Sequence, residues 1–398
     1  MQINLAVFFG CCSVEHEVSI ISAVQAMHSI DRQKYNVIPV YVKKDGTTVT
    51  GDALFEIKEY KNMPALEKKV KPVTFSREKE GVMMNFAPSL FGKKSVRIDV
   101  AFPVVHGTNC EDGTIQGFFE FLRLPYVGCD IISSAVGMDK AIFKDVLAAA
   151  GLPVLPCIRF YSREYFKESD AILDRIEKEI GMPVIVKPAN LGSSVGITKA
   201  DDRDALRDAI DHACSFADKI LVERAVVGLR EINCSVLGDY DECSASVCEE
   251  PVMHDDILSF EDKYTRGSKK TGGSKGMTSL SRKLPAEISE EKSNEIRDLS
   301  CKIFKALGCG GIARIDFIMD TADGDRVYAN EINTIPGSLS FYLWEATGVP
   351  YTELLDRAVT LALRRQRNRE SLNFTFESNI LAGVGDLRGT KGSKGAGK

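Results

Sequence analysis

The chain has 398 residues, of which 44% are hydrophobic and 27% charged, and a formal net charge of −5. This length exceeds what most single hydrophobic cores support, so two or three domains are expected. The charge is spread along the chain, which excludes the basic footprint of a protein that binds nucleic acid or an anionic membrane. No apolar run reaches the ~18 residues of a transmembrane helix, and the N-terminus lacks a signal peptide's basic start. We therefore expect a cytoplasmic protein.

The 11 cysteines are an odd number and include no C-x-x-C pair. Their spacing to the histidines does not match a zinc site. In a reducing cytosol most such residues are small buried hydrophobes, so we expect no disulfides.

The first segment alternates apolar strands with an apolar-periodic helix. INLAVFFG precedes a polar turn that contains Glu15, and the helix VSIISAVQAMHSI and the strand YNVIPVYV follow. This βαβ order predicts a parallel sheet whose ligand site lies at the carboxyl ends of the strands. Glu15 at the strand-to-helix turn either caps the helix or helps to bind a ligand. Residues 45–95 are more polar, and we expect a surface excursion there.

A buried strand, VRIDVAFPVVHG, leads into a glycine-rich loop, HGTNCEDG. Its glycines bring His106, Glu111 and Asp112 close to the backbone, which suits a small charged ligand. An ordinary surface loop is the alternative interpretation. A helix then follows over SSAVGMDKAIFKDVLAAAGLPV, with Lys140 and Lys144 on one face.

The strand VIVK carries Lys187, and the chain returns through NLGSSVG as a second strand. Such a loop can place backbone N–H groups on phosphates, although a generic hairpin loop is also plausible. It is not the Walker pattern, because the lysine precedes the loop and no helix follows. Downstream, Glu223 closes an apolar strand and Glu231 opens the next. These two strands could form the apolar and acidic walls of a nucleoside pocket.

Two glycine-rich basic segments stand out in the second half of the chain. Residues 254–283 are too polar to form a core and too long for a simple turn, so they are either an active-site lid or disordered. The C-terminal segment RGTKGSKGAGK is expected to be disordered.

The most informative stretch is residues 312–337, IARIDFIMDTADGDRVYANEINTIPG. It predicts two strands joined at Asp323-Gly324, a dipeptide that tolerates the positive φ angles of a tight hairpin turn. This turn places Asp316 opposite Glu331 and Arg314 opposite Asn333, with all four on one face. Side-chain alternation then directs three residues to a core: Ile315, Phe317 and Ile332.

Two opposed carboxylates repel each other unless a cation lies between them. Asp316, Glu331 and the amide oxygen of Asn333 are ligands that suit Mg²⁺, which usually keeps water and phosphate oxygens in its other positions. A solvated hairpin face is the alternative. Four polar groups on an otherwise apolar hairpin favour the metal.

Seven motifs in this order resemble those of the D-alanine:D-alanine ligases in the ATP-grasp superfamily. They are SVEHEVSIISA at 13–23, HGTNCEDGTIQGFFE at 106–120, MDKAIFK at 138–144, MPVIVKPANLGSSVG at 182–196, ILVERAVVGLRE at 220–231, FEDKY at 260–264, and the hairpin with NTIPG. The resemblance spans about residues 3–365.

The resemblance implies an α/β, ATP-grasp fold in several parts. The expected parts are a Rossmann-like pre-ATP-grasp domain at 1–133, a central ATP-grasp subdomain at 134–226, a C-terminal ATP-grasp subdomain with metal site and lid at 227–368, and an extension at 369–398.

The resemblance also implies the cofactors, ATP and two Mg²⁺ or Mn²⁺ ions, and the site residues. The implied ATP ligands are Lys140, Lys187, Ser193, Ser194, Glu223, Ala225, Val226, Glu231 and Lys263. The implied metal ligands are Asp316, Glu331 and Asn333, which agrees with the hairpin argument. The implied catalytic residues are Glu15, Ser193, Tyr264, Arg314 and Gly337. His106 and Glu15 are implied to line the pocket of the first substrate.

The implied reaction joins two D-alanines into D-Ala-D-Ala for peptidoglycan precursors through an acyl phosphate. Arg314 and the backbone N–H of Gly337 would stabilise the oxyanion, and a lid would exclude water. The implied partners are small D-amino acids, and a homodimer is expected because the family is typically dimeric.

The chain departs from the family pattern at several positions. Gly10-Cys11 replaces a Gly-Gly pair, and Cys110 replaces a loop glycine, where a positive φ would be strained. Counting from Gly337, Tyr342 occupies the position of the serine that binds the carboxylate of the second D-alanine. Ser338, Ser340 or the hydroxyl of Tyr342 itself are candidate substitutes. The lid is also longer and more basic.

These departures leave three hypotheses. The first is a ligase that uses D-alanine twice. The second has the same chemistry with another acceptor, such as D-serine, D-lactate or another small amino acid. The third is a catalytically silent ATP-binding protein, which the intact set of phosphate and metal residues disfavours.

Overall fold

The computed structural model describes residues 2–87, 95–192, 195–252, 282–374 and 379. Three β-sheets of seven, four and five strands follow one another along these parts of the chain. Several predicted features lie outside the described residues: Ser193, Ser194, Lys263 and Tyr264, the lid up to residue 281, and the C-terminal tail from residue 380.

The N-terminal sheet has the strand order β6-β5-β4-β3-β2-β1-β7. Its strands are β1 (Ile3–Gly10), β2 (Tyr35–Val42), β3 (Thr48–Thr50), β4 (Lys71–Glu78), β5 (Gly81–Phe86), β6 (Ser95–Ile98) and β7 (Val100–Val104). Its helices are α1 (His16–Ser29), α2 (Met63–Glu67) and α3 (Thr114–Leu122), with 3₁₀ turns at Asp52–Phe55 and Ile57–Lys61. β1 is parallel to both β2 and β7, which confirms the predicted βαβ unit.

The expectation of a surface excursion at 45–95 is wrong. Strands β3 to β6 extend the sheet in antiparallel fashion. Val73, Val82 and Met84 pack with Phe8 in a core cluster, while the alternate residues of β4 and β5 are more exposed. These strands are polar overall because only one face of each is buried.

The second sheet has the order β10-β9-β11-β8 and is antiparallel. Its strands are β8 (Cys157–Tyr161), β9 (Val184–Pro188), β10 (Thr198–Ala200) and β11 (Lys219–Arg224). Its helices are α6 (Ser162–Lys167), α7 (Ser169–Glu179) and α8 (Arg203–Cys214), and α4 and α5 precede them in the chain. The pairing of β9 with β10 confirms that the chain returns as a strand after the glycine-serine loop. Leu173 and Ile176 of α7 and Leu206 of α8 pack against Val186 of β9.

The helix predicted before this sheet is broken in two, α4 (Ile131–Met138) and α5 (Lys140–Ala149). Asp139 causes the break, because its carboxylate accepts the backbone N–H groups of Ala141 and Ile142 at 3.1 Å and caps α5. Phe143 of α5 joins the core of the third sheet. This contact crosses the predicted boundary between the central and C-terminal subdomains at 226/227, and that boundary stays a prediction.

The third sheet has the order β14-β13-β12-β15-β16. Its strands are β12 (Leu229–Gly238), β13 (Cys243–Pro251), β14 (Arg282–Lys283), β15 (Gly311–Asp320) and β16 (Arg326–Asn333). The accompanying helices are α9 (Glu290–Ala306), α10 (Phe341–Thr347) and α11 (Tyr351–Glu370). Buried residues of α9 at helical spacing, Ile296, Ile303 and Phe304, cover this sheet.

The last helix returns to the first sheet. Leu354, Leu355 and Val359 of α11 are buried in one cluster with Leu5 and Val7 of β1. The two ends of the described chain are thereby packed together, and the three sheets surround a common cleft.

The hairpin of β15 and β16 confirms the predicted pairs Arg314–Asn333 and Asp316–Glu331. The predicted two-residue turn is wrong, because β15 ends at Asp320 and β16 begins at Arg326. Beyond Asp316 the register shifts by one residue, and Phe317 pairs with Ala329. Asn330 is therefore a β-bulge that offsets the longer connection and restores the predicted register at the polar end.

Candidate active site

A cavity of about 80 Å³ lies in the cleft between the three sheets. Nine residues that the resemblance implied for the site line it: Glu15, His106, Lys140, Glu231, Arg314, Asp316, Glu331, Asn333 and Gly337. They come from the loops after β1 and β7, the start of α5, strands β12, β15 and β16, and the 3₁₀ turn Gly337–Ser340 after β16. Residues from all three predicted domains thus meet in one cavity.

Glu15 lies at the N-terminal end of α1, but its side chain makes no capping hydrogen bond there. It is 8% exposed and faces Gly107 of the neighbouring loop. A Cβ atom on Gly107 would lie 2.7 Å from Glu15 Oε2 and 2.5 Å from Ser13 Oγ, so a side chain here would displace both groups. The φ of +80° at Gly107 also favours glycine. The capping alternative for Glu15 is therefore not supported.

His106 ties the loop after β7 to the segment after β16. Its Nδ1 lies 2.8 Å from the carbonyl oxygen of Ile335, and its Nε2 lies 2.9 Å from Ser22 Oγ. Burial lowers the pKa of His106, so the ring is neutral, with Nδ1–H donating to Ile335 and Ser22 donating to Nε2. The ring therefore braces the wall of the cavity.

Glu111 lines the same cavity. The glycine-rich loop pattern indicated it, but the resemblance implied no role for it. Its carboxyl accepts the backbone N–H of Gly107 at 2.9 Å. Burial, together with the nearby charge of Glu15, raises the pKa of Glu111 to about 8. This carboxyl therefore carries a proton at neutral pH.

Arg314 and Asp316 face the cavity from β15. Arg314 donates from Nε and Nη2 to the two oxygens of Asp316 at 2.6 and 2.7 Å, and Asn333 Nδ2 donates to Asp316 at 3.0 Å. Burial lowers the pKa of Arg314, but the charge of Asp316 outweighs it and the pKa lies well above its usual value. Across the hairpin, Lys140 Nζ lies 3.0 Å from Glu331. The two opposed carboxylates each have a cationic partner from the protein.

The polar face of this hairpin offers oxygen donors for a metal ion. Among the described residues no group of three or more His, Cys, Asp or Glu side chains is arranged to hold a metal ion. Asp316, Glu331 and the amide oxygen of Asn333 supply hard oxygen donors in the number Mg²⁺ accepts from a protein when phosphate oxygens complete its shell. The residues therefore fit a Mg²⁺ ion bound together with a nucleotide.

A buried cationic cluster lies behind the cavity and consists of Lys144, Lys187 and Glu223. Lys144 Nζ is 2.8 Å from Glu223, and Lys187 contacts the other carboxylate oxygen. Lys187 also donates to the side chain of the bulge residue Asn330 at 3.2 Å. Burial would raise the pKa of Glu223, but the two ammonium groups outweigh it and lower the pKa to about 2.

Two lysines and one glutamate give the cationic cluster a formal charge of +1. Burial lowers the pKa of Lys187 in this cluster. The sequence predicted that Lys144 lies on the same helix face as Lys140, but the resemblance did not imply Lys144 as an ATP ligand. After the cluster, the backbone N–H of Ala225 donates to Pro183 at 3.0 Å, and Val226 packs against buried Leu155.

The segment after Gly337 has unusual backbone angles, because Ser338, Leu339 and Ser340 all have φ near +50°. Ser338 Oγ donates to Gln25 at 2.9 Å, and Ser340 is fully buried. Tyr342 donates its hydroxyl proton to Glu249 at 2.8 Å. None of these three side chains is part of the cavity wall formed by the described residues.

Two lysine-bearing elements of one α/β unit therefore face a carboxylate hairpin of another across a cleft. This arrangement defines an ATP-grasp enzyme. The sequence matches two family models, D-ala D-ala ligase N-terminus over residues 4–129 and D-ala D-ala ligase C-terminus over residues 146–360. The chain belongs to the D-alanine–D-alanine ligase family, whose members are ATP-dependent ligases.

Relatives support this membership over nearly the whole chain. The D-alanine–D-alanine ligase of Thermosipho melanesiensis is 39% identical over 382 residues, which cover 96% of this chain and 98% of the relative. That of Caldicellulosiruptor bescii is 40% identical over 381 residues, covering 94% and 99%.

Solved structures share the fold. The D-alanine-D-alanine ligase from Coxiella burnetii has a TM-score of 0.76 at 29% identity and covers 93% of this chain and 96% of its own. The VanG D-Ala:D-Ser ligase from Enterococcus faecalis has a TM-score of 0.75 at 30% identity and covers 91% and 100%. The predicted ATP-grasp fold is confirmed. In the described parts of the chain no helix is both long and apolar enough to cross a membrane.

Proposed function

We propose that the protein is an ATP-dependent ligase that forms D-Ala-D-Ala for peptidoglycan precursors through an acyl phosphate. One observation carries the proposal. A single cavity contains Glu15, a carboxylate able to hold an ammonium group, beside Arg314 and the opposed pair Asp316 and Glu331. These are the groups needed to bind an amino acid, stabilise an oxyanion and position a nucleotide phosphate.

The lysines supply the phosphate-binding charge. Lys140 at the cavity wall and the net positive cationic cluster behind it attract the phosphates of ATP, as positioning and charge neutralisation require in phosphoryl transfer. Asp316, Glu331 and Asn333 would hold Mg²⁺, or Mn²⁺, which neutralises phosphate charge when bound. We propose that Glu231 binds the ribose, since it lines the same cavity.

The reacting groups are held at the other end of the cavity. Glu15 binds the ammonium of the first D-alanine and leaves its carboxylate to attack the γ-phosphoryl group. The amine of the second amino acid then attacks the acyl carbon and displaces phosphate. The Arg314 guanidinium and the N–H of Gly337 stabilise the oxyanion of that intermediate, which is the charge that most needs stabilisation in acyl transfer.

The protonated Glu111 beside Glu15 supports this arrangement. Burial and the nearby charge of Glu15 raise the pKa of Glu111, so Glu111 keeps its proton and adds no second negative charge to the site that binds the ammonium group.

A specific alternative is that the second substrate differs from D-alanine. Tyr342 replaces the serine expected after Gly337, and a structurally similar protein is a D-Ala:D-Ser ligase. D-Serine, D-lactate or another small amino acid could therefore replace the second D-alanine. D-Alanine turnover equal to or better than that of every other acceptor would remove this alternative.

The experiment is to incubate the protein with ATP, Mg²⁺ and single or paired D-amino and D-hydroxy acids. ADP formation that depends on D-alanine, with D-Ala-D-Ala identified by mass, is the expected result. ATP binding without D-alanine-dependent ADP formation would instead favour a catalytically silent ATP-binding protein.

We also propose that the protein forms a homodimer in the cytoplasm. Neighbouring helices α3 and α4 carry exposed apolar side chains, with Phe121 88% and Ile132 70% exposed, which suits a protein interface. The eleven free cysteines suit a reducing compartment. Light scattering on the purified protein tests the dimer, and a monomeric mass at micromolar concentration would contradict it.

A further inference from the structure

The β-bulge at Asn330 turns two consecutive side chains of β16 towards the cleft. In a regular strand, neighbouring side chains point to opposite faces of the sheet. Ala329 and Ile332 both lie in the core cluster of the third sheet, although they are three residues apart and strict alternation would place them on opposite faces. The bulge resets the alternation between them. Asn330 and Glu331 therefore both face away from this core.

Each of these two residues contacts a lysine from the part of the chain that carries the second sheet. Lys187 Nζ on β9 donates to Asn330 Oδ1 at 3.2 Å, and Lys140 Nζ at the start of α5 lies 3.0 Å from Glu331. Lys187 is only 4% exposed, and Asn330 is half-buried. The bulge thus brings the two lysines proposed to bind phosphate to adjacent residues of the proposed metal hairpin.

The backbone beside the bulge is bonded to the same part of the chain. The N–H of Ala329 donates to the carbonyl oxygen of Pro153 at 2.9 Å, and Val154 forms a parallel β-bridge with Ala329. Residues 153–154 lead from α5 into β8 of the second sheet. The backbone therefore joins the second sheet to β16 independently of the Asn330 side chain.

The amide of Asn330 holds an ammonium group without cancelling its charge. The cationic cluster of Lys144, Lys187 and Glu223 has a formal charge of +1. A carboxylate at position 330 could accept the same hydrogen bond, but it would reduce the formal charge around Lys187 to zero. The neutral amide oxygen accepts the bond and leaves that charge unchanged. Such a partner suits a lysine whose charge has to attract a phosphate.

We propose that Asn330 is a positioning residue for nucleotide binding, which orients the Lys187 ammonium and preserves the positive charge of the cationic cluster. The inference rests on the proposed function. The ligand is a nucleoside triphosphate, and the cluster attracts its phosphates and not its base or ribose. Asn330 acts on the nucleotide only through Lys187.

The rival interpretation is that the hydrogen bond between Lys187 and Asn330 only stabilises the fold. Aspartate separates the two interpretations, because it has the size of asparagine and can accept the same bond from Lys187. If the bond is only structural, Asn330→Asp keeps both the stability of the fold and the affinity for ATP. If Asn330 preserves the charge of the cluster, Asn330→Asp keeps the stability and loses affinity for ATP.

Asn85 on β5 supplies a matched control. It is a half-buried asparagine on a strand, and its Nδ2 donates to Ser76 Oγ at 2.8 Å within the first sheet. Among the described residues it is not part of the cavity wall. Asn85→Asp therefore changes the net charge of the protein by the same amount away from the proposed active site.

The test measures equilibrium binding to the full-length protein by isothermal titration calorimetry with ATP, with adenosine as competitor, and follows thermal unfolding in parallel. Adenosine has no phosphate, so its Kd reports the contacts of the base and ribose alone. Asn330→Asp is expected to raise the Kd for ATP by roughly 10- to 100-fold, the effect of one added charge near the phosphates. The rise is expected with and without Mg²⁺. The Kd for adenosine should stay within about twofold, and the Tm should not fall.

Asn330→Leu has a similar volume but no acceptor, so Lys187 loses its orientation while the formal charge of the cluster stays the same. The Kd for ATP should rise by about 3- to 10-fold, the value of one ordinary hydrogen bond, and the Kd for adenosine should not change. Asn85→Asp should leave both Kd values within about twofold of wild type.

An unchanged Kd for ATP in Asn330→Asp would overturn the inference, and so would equal losses of affinity for ATP and adenosine. If one of the two Asn330 variants does not fold, the other decides by the same comparison of ATP with adenosine. Loss of the fold in both variants would also overturn the inference, because Asn330 would then stabilise the fold itself. Wild-type protein that binds no ATP would overturn the proposed function.

Discussion

Arg314 donates to both carboxylate oxygens of Asp316, which lies two residues further along the same strand. The same carboxylate is a proposed metal ligand, and the same guanidinium is the proposed oxyanion donor. Binding of a metal by Asp316 would compete with Arg314 for its oxygens. Metal binding and the placement of the oxyanion donor are therefore coupled through one carboxylate.

Asp316→Asn should lower turnover by at least about 100-fold, since it weakens the metal site and leaves Arg314 without its carboxylate. It should also lower the free energy of unfolding by about 3 kcal/mol, because Arg314 is buried. Initial rates against Mg²⁺ concentration and urea denaturation measure the two effects. Asp323→Asn, in the exposed connection of the same hairpin, is the control and should change neither.

Glu331→Gln should abolish turnover while leaving the fold largely intact. The Glu331 side chain is 22% exposed, and Lys140 keeps its hydrogen bond to the carbonyl oxygen of Leu191 when the ion pair is lost. The loss of stability should therefore be smaller than in Asp316→Asn. Turnover at ordinary Mg²⁺ and thermal unfolding are the measurements. A variant that retained turnover would refute the metal role of Glu331.

The cationic cluster predicts a strong effect at Glu223. Glu223→Gln leaves two buried ammonium groups facing each other, so the free energy of unfolding should fall by about 3 to 5 kcal/mol at pH 7. Denaturant titration measures this loss. Lys144→Met, which leaves a neutral pair with Lys187, should cost less and mainly raise the KM for ATP. Equal destabilisation by both variants would argue against the net charge of the cluster.

The cationic cluster also predicts that the stability of the fold depends on pH in the acidic range. The pKa of Glu223 falls from 4.5 to about 2 on folding, so its contribution to stability is present above pH 4.5 and is lost as the pH falls towards 2. Glu223→Gln should therefore show a shallower loss of stability than wild type over this range.

The raised pKa of Glu111 predicts that stability changes with pH in the opposite direction. Its pKa rises from 4.5 in the unfolded chain to about 8 in the fold, so the folded state holds the extra proton and stability falls as the pH rises between these values. Glu111→Gln removes the titration and should flatten this slope. Urea denaturation at pH 5.5, 7 and 8.5 measures it, with exposed Glu353→Gln as control. Identical slopes in wild type and Glu111→Gln would contradict a buried, protonated Glu111.

Gly10 predicts a steric effect at the end of β1. A Cβ there would lie 2.4 Å from the carbonyl oxygen of Val42, whereas Gly46, which also has a positive φ, has nothing within 4 Å. Gly10→Ala should therefore destabilise the protein by at least about 2 kcal/mol more than Gly46→Ala. Chemical denaturation of the two variants compares them, and equal losses would mean that only the positive φ matters.

Local sequence patterns predicted the helices and strands that have a clear hydrophobic periodicity. They also predicted the site residues that directly follow these elements in the chain. The opposed pairs of the hairpin were predicted correctly although the turn was not, because the bulge at Asn330 compensates for the longer connection. Lys140 and Lys187 were found by motif, whereas Lys144 joins Glu223 only through folding. Glu249 and Arg282 meet Tyr342 across long separations in the chain, which no local pattern predicts.

The predicted strain at Cys110 is a related case. Cys110 does not have a positive φ, whereas its neighbour Asn109 has a φ of +62°. Cys11, at the other departure from the family pattern, has a φ of +70°. Gly107 and Gly113 keep the loop's other left-handed positions, with φ +80° and +96°. The loop accommodates a cysteine because the backbone requirement has moved to an adjacent residue, and asparagine tolerates it better than most.

The return of α11 to the first sheet has a consequence for synthesis of the protein. Leu5 and Val7 of β1 leave the ribosome long before Leu354, Leu355 and Val359 of α11, with which they share a core. The first sheet therefore cannot finish burying its apolar surface until α11 has been made. Its nascent form therefore carries an exposed apolar face of the kind that chaperones bind during translation.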